Sequence, residues 1–230
     1  MESRRRNTLF VLSVVAAGLL VVNIIFITGT NSGNAFAIPF FSKASHVQVH
    51  SVAVIGDSLV FLSTPELQTQ LSAKYPNPDI QAVLGITIDG MRPNIEQIHT
   101  AKHPDAVVVA LGSNDARYMV NTATPTEAEV QLQNSLAQQG AVLDTLSDTP
   151  CVIWVGVQEH NTALNLKVWG PQLNAGFRTN VNQHANAHFL EWESVMSSHS
   201  DWQASDDLHF SPAGNAGYAT TISSAISDLC

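Results

Sequence analysis

The sequence predicts an α/β chain: a three-layer α/β/α sandwich with a five-stranded parallel sheet, preceded by an N-terminal hydrophobic helix. Three observations predict it. Five short apolar runs, each closed by a polar or glycine-bearing turn, have the length and composition of buried strands. Segments with helical spacing separate them, and strand–helix alternation places helices on both faces of a parallel sheet through right-handed crossovers. A 19-residue apolar stretch, Leu9 to Ile27, precedes all of these runs.

Composition agrees. With 230 residues, 45% hydrophobic and 13% charged, and with two cysteines, the chain is not disordered, collagen-like or a disulfide scaffold. One domain of about 190 residues with a short appendage fits this length. Net charge is -9, and beyond residue 37 there are 7 basic against 18 acidic side chains. So acidic a body repels phosphate backbones and anionic headgroups, which argues against nucleic acid as a partner.

Residues 1–28 open the chain with Arg4, Arg5 and Arg6 before the apolar stretch, which as a helix would extend about 28 Å, close to the hydrocarbon thickness of a bilayer. Two readings stand. Ala35-Phe36-Ala37 offers a small-x-small site for a cleaved export signal, whereas the length of the apolar run favours an uncleaved anchor and hence membrane attachment. Either way the arginines stay in the cytoplasm and the remainder crosses, so the expected location is extracytoplasmic, secreted or anchored. Residues 29–47 read as a linker and 48–230 as the globular domain.

Within that domain the expected strands are Val47 to Ile55, Ile80 to Leu84, Ala106 to Leu111, Cys151 to Val157 and Phe189 to Glu191. The expected helices are Pro65 to Tyr75, Pro93 to Thr100, Thr126 to Leu146, Gln172 to Ala187 and Pro212 to Leu229, in a flavodoxin-like arrangement. In such a sheet all strands point one way, and residues just after each strand share the rim where open α/β sheets bind ligands.

That rule makes neighbours of four dispersed motifs. Ser58 follows strand one in Gly56-Asp57-Ser58-Leu59; Gly85 follows strand two; Gly112-Ser113-Asn114-Asp115 follows strand three; Asp206-Asp207-Leu208-His209 precedes the last helix. A serine at a strand-to-helix turn suits nucleophilic attack, because the helix N-terminus favours developing negative charge; the same position also suits a plain helix cap. His209 can take the serine proton, and Asp206, three residues earlier, can fold back to fix the imidazole tautomer. A tetrahedral intermediate needs donors, and the backbone N–H groups of Ser58 and Gly85 with the Asn114 amide can supply them.

These four blocks, in this order, resemble those of the SGNH hydrolases, also called GDSL esterases and lipases, from about Val47 to the C-terminus. The tail from Asp206 through Gly214 to Tyr218 is similar to SGNH domains of bacterial cell-envelope proteins. The resemblance implies an SGNH hydrolase domain over 48–230, with Ser58 as nucleophile, His209 as base, Asp206 as its orienter and an oxyanion site of Ser58, Gly85 and Asn114. Gly90 competes with Gly85 for the second block, and Val60 rules out the Gly-x-Ser-x-Gly elbow of ordinary α/β-hydrolases.

The expected activity is hydrolysis of a carboxylic O-acyl ester, such as acetyl on a carbohydrate, through an acyl-enzyme and without cofactor. Acyl transfer through the same residues and a noncatalytic membrane-tethered binding module are the alternatives. A third reading gathers Asp57, Asp115, Asp206 and Asp207 around a divalent cation. Asp57, Glu159 and His160, on the same rim, are candidate substrate-binding residues. Trp169, beside Gly170-Pro171, is expected in a rim loop, and Trp154, Trp192 and Trp202 in the packing. Cys151 opens strand four at the lower edge of the sheet and Cys230 ends a helix returning there, so the two either form a disulfide or remain a buried and a terminal thiol.

Overall fold

A computed structural model describes residues 47–230. The hydrophobic helix expected at 1–28 and all but the last residue of the linker at 29–47 lie outside the described residues. Among the described residues no helix is long and apolar enough to cross a membrane.

Five strands, β1 (Val52–Gly56), β2 (Asp79–Ala82), β3 (Ala106–Ala110), β4 (Cys151–Val155) and β5 (Ala187–Leu190), pair in parallel in the order β2-β1-β3-β4-β5. The central strands are buried on both faces, and alternation divides them between two cores. Val107, Val109, Val152 and Trp154 enter one core, while Ala106, Val108, Ile153 and Val155 enter the other. The first is covered by α3 (Ile88–Lys102), α4 (Ala116–Val120), α5 (Pro125–Thr145) and α6 (Leu166–Val181) through Ile95, Leu132 and Phe177. The second is covered by α1 (Ser58–Leu62), α2 (Thr64–Ser72), α7 (Trp192–Met196) and α8 (Pro212–Leu229) through Leu67, Trp192 and Ile222. This is the expected three-layer sandwich.

The crossovers from β1 run to β2 on one side and from β2 back over to β3 on the other, so the rim above β1 and β3 is the switch point where ligands bind. Cys151 and Cys230 are joined, with Cα atoms 5.6 Å apart, at the opposite edge.

Two helices depart from their expected spans: α3 starts at Ile88 behind the Thr87 cap, with Pro93 inside it rather than at its start, and α6 is shifted. The segment expected from Gln172 to Ala187 is helical instead over α6, with Pro171 inside it, and Trp169 lies in this helix rather than in a rim loop. Burial of Leu166, Leu173 and Phe177 outweighs the Gly170-Pro171 breaker signal, and a Cβ at Gly170 would meet the Gln158 carbonyl oxygen at 2.6 Å. The helix stops at Val181, after which the Asn186 amide donates to the carbonyls of Leu146 and Thr149 and delivers the chain to β5.

Candidate active site

The first motif is shaped by close packing. A Cβ on Gly56 would lie 2.9 Å from the Ala110 carbonyl oxygen, so only glycine lets β1 turn tightly beside β3. Asp57 then caps α1: its Oδ1 accepts from the Leu59 N–H at 3.0 Å, and Ser58 occupies the first helical position, 8% exposed. The turn after β2 lies alongside, since the Val83 N–H donates to the Gly56 carbonyl at 3.1 Å. In that turn Gly85 adopts a left-handed φ of 70°. Gly90, its competitor, lies inside α3 with its N–H donating to Thr87 Oγ1.

The last motif arrives on the loop before α8. His209 Nε2 is 2.9 Å from Ser58 Oγ, and His209 Nδ1 is 2.6 Å from Asp206 Oδ2. Asp206 Oδ1 accepts from the N–H groups of Leu208 and His209 at 3.1 and 2.9 Å. The hydrogen bond to the His209 ring, then that from the His209 N–H, hold the Asp206 carboxyl down to about 2. A carboxylate is an acceptor only, so the imidazole proton belongs on Nδ1 and Nε2 is left to accept from the serine hydroxyl. Asp206 is half exposed, with 51% of its side chain accessible, so water screens much of its field.

Asn114 follows β3 after Gly112, whose φ of 123° requires glycine. Its Nδ2 donates to Asp57 Oδ2 at 3.0 Å while Arg117 donates to its Oδ1 at 3.2 Å, so both ends of the amide are fixed. One N–H of the amide remains uncommitted. Asp57 is only 1% exposed, and burial pushes its carboxyl up to about 6 against the opposing hydrogen bond from Leu59, the field of His209 and the bond from Asn114. Asp115, whose Oδ2 accepts from the Ile88 N–H at 3.2 Å, is pushed up to about 7 by burial and by the nearby Asp57.

Several expected residues sit differently. Asp57, expected to bind substrate, is buried and turned inward, its two oxygens used by the α1 cap and the Asn114 amide. Glu159 Oε1 accepts from Asn174 at 2.8 Å and so ties its loop to α6. His160 is exposed and its Nδ1 lies 2.8 Å from Glu193. The four acids read as a cation site do not converge: Asp206 serves His209, Asp207 serves Thr162, and Asp57 and Asp115 cap helices. Among the described residues no group of three or more histidine, cysteine, aspartate or glutamate side chains is placed to hold a metal ion.

Other contacts brace the His209 loop in ways the motifs do not announce. Asp207, at φ 57°, accepts from the N–H and hydroxyl of Thr162, clamping the Asp206–His209 loop to the loop after β4. Gln203 Nε2 donates to the His209 carbonyl at 3.2 Å. Thr162 lies 45 residues from its partner, and nothing local distinguishes it from any other polar loop residue.

The model of the GDSL-like lipase/acylhydrolase family matches residues 54–216. Among solved structures, the acetylxylan esterase Axe2 of Geobacillus stearothermophilus is similar with a TM-score of 0.62 at 18% identity, over 77% of this chain and 94% of that one. The C-terminal catalytic domain of Streptococcus pneumoniae peptidoglycan O-acetyltransferase A is similar with a TM-score of 0.62 at 21% identity, over 79% of this chain and 94% of that one. Compared with curated protein sequences, the chain has no significant match. These structural likenesses speak for the fold, and the family match spans most of the chain. The chain belongs to the GDSL-like lipase/acylhydrolase family and is an SGNH-type hydrolase acting on ester bonds.

Proposed function

We propose that the chain is an extracytoplasmic serine esterase that removes small O-acyl groups, such as acetyl, from a carbohydrate through a covalent acyl-enzyme. The observation that carries this reading is the unbroken chain Ser58 Oγ, His209 and Asp206, at 2.9 and 2.6 Å. Ser58 Oγ attacks the ester carbonyl carbon as its proton passes to His209 Nε2. Asp206 holds the Nδ1 proton and stabilises the imidazolium. The carbonyl oxygen becomes an oxyanion facing the N–H groups of Ser58 and Gly85 and the free N–H of Asn114. His209 returns its proton to the leaving alkoxide, which departs as an alcohol. Water then gives a proton to His209, attacks the acyl-enzyme and releases the acid, and Ser58 recovers its hydrogen.

Acyl transfer uses the same steps with a sugar hydroxyl in place of water. The neighbouring O-acetyltransferase domain motivates this second reading, and transfer of labelled acetyl to an added oligosaccharide separates it from hydrolysis. Export is supported by the apolar stretch behind Arg4 to Arg6 and by a disulfide, a bond that persists in oxidising compartments.

The test uses the full-length protein with p-nitrophenyl acetate and a fluorophosphonate probe. Wild type is expected to turn over the ester and to be labelled, Ser58→Ala to do neither, and His209→Ala to lose nearly all turnover. A wild type that is folded yet neither labelled nor active overturns the reading in favour of a binding module.

A further inference from the structure

Outside the Ser58 site, α3, α4 and α5 line a cleft of about 440 Å³, a size typical of small-molecule sites. Its position is informative. Asp115, on its wall, follows Asn114 directly and binds the Ile88 N–H, so the cleft begins where the turn carrying Gly85 meets the turn carrying Asn114. Its Asp115 end is thus one residue along the chain from Asn114, a proposed oxyanion donor.

The lining selects a chemistry. Gln131, Asn134 and Gln138 recur at i, i+3 and i+7 and so share one face of α5. Gln138 Oε1 accepts from Arg92 at 3.1 Å, which leaves its Nε2 hydrogens to donate. Gln131 and Asn134 make no side-chain hydrogen bond to another described residue. Across from them Tyr118, 57% exposed, adds an aromatic ring and a hydroxyl from α4. Neutral amides that both donate and accept, set against an aromatic face, match vicinal hydroxyls and the C–H face of a sugar ring. The lining includes no aliphatic side chain for an alkyl chain to enter and no cation for a phosphate.

We propose that this cleft is the glycan subsite: it holds a neutral oligosaccharide through Tyr118, Gln131, Asn134 and Gln138 so that an O-acyl group on that glycan reaches Ser58. The assignment rests on Ser58 as nucleophile, and the test keeps the two apart. Full-length wild type, Tyr118→Ala and Asn134→Ala are compared on O-acetylated xylohexaose and on p-nitrophenyl acetate. Each substitution is expected to raise KM for the oligosaccharide about three- to tenfold, the loss of one hydrogen bond or one stacked ring, and to lower the oligosaccharide-to-p-nitrophenyl kcat/KM ratio by the same factor. An unchanged ratio overturns the subsite while leaving the esterase intact. Calorimetric titration of unacylated xylohexaose into full-length Ser58→Ala reads the cleft without turnover. Binding that Tyr118→Ala weakens supports the subsite even if the esterase reading fails, and no binding at millimolar sugar overturns it.

Discussion

Asn114→Ala isolates the proposed oxyanion contact. One N–H of the amide is committed to Asp57 at 3.0 Å and its oxygen to Arg117 at 3.2 Å, so the remaining N–H is the group the variant removes from the reaction. Loss of one such donor costs about 100- to 1000-fold in kcat, or roughly 2.7–4 kcal/mol of transition-state stabilisation. KM should hardly move, because the contact strengthens only as the carbonyl oxygen gains charge. The assay is steady-state hydrolysis of p-nitrophenyl acetate by the full-length protein, with a melting curve to establish folding. Asp57→Asn extends the argument: an amide has one oxygen to serve both the Leu59 N–H and Asn114, so the Asn114 amide loses its anchor and kcat falls about tenfold. In the Asn114→Ala background that second loss should largely vanish, since Asp57 acts on the reaction through Asn114. A fall in kcat of less than about threefold for Asn114→Ala, against the 100-fold expected, would refute the oxyanion role, as would a change confined to KM.

Three more expectations follow from the same geometry. Asp57 and Asp115, raised to about 6 and about 7 in the fold, bind protons more readily folded than unfolded. Their contribution to stability is therefore full below about pH 4 and lost as pH rises through 6 to 7. The melting temperature should fall between about pH 5 and pH 8, and Asp115→Asn should flatten that slope; an unchanged slope counts against a buried, proton-binding Asp115. Asp206 has the opposite sign, its contribution being lost only as pH drops from about 4 toward about 2. Cys230→Ser opens a loop of sequence separation 79, which chain entropy values at about 4.5 kcal/mol. A drop in melting temperature of roughly 10 °C or more is expected, with kcat unchanged because the bond lies at the opposite edge of the sheet. Asp207→Ala frees the His209 loop from Thr162 and should lower kcat about tenfold with little change in KM, with Asp207→Asn retaining most activity since it can still accept one bond at the same left-handed φ. Equal losses in both variants would mean that charge, not the clamp, matters.

The parts legible from the sequence are those set by local chemistry. Strands β3 and β4 are uninterrupted apolar runs bounded by turns, and α8 begins at Pro212 behind its Ser211 cap, so each could be placed nearly to the residue. The sequence shows only the start of α1, at Ser58, and neither α4 nor α7, since five residues are too few to display an amphipathic period. In α6 the Gly170-Pro171 breaker signal is local, whereas the burial of Leu166, Leu173 and Phe177 that overrules it is not. Asp57 illustrates the same limit at the site: position on the rim was predictable, whereas the direction its carboxylate faces depends on Asn114, 57 residues away.

What the sequence by itself determined is the set of candidate reactive groups and the edge on which they meet. Parallel strands deliver their ends to one rim, and an Asp three residues before a His can reach it within one turn, whatever the rest of the chain does. Only the tertiary structure decided which of these groups meet and which brace them. Asp57 turned inward to hold Asn114, Asp207 took Thr162 instead of a cation, and the amides of α5 came to oppose Tyr118. Each of these rests on a hydrogen bond or a cleft between segments distant in sequence, and such partners are selected by packing rather than by spacing.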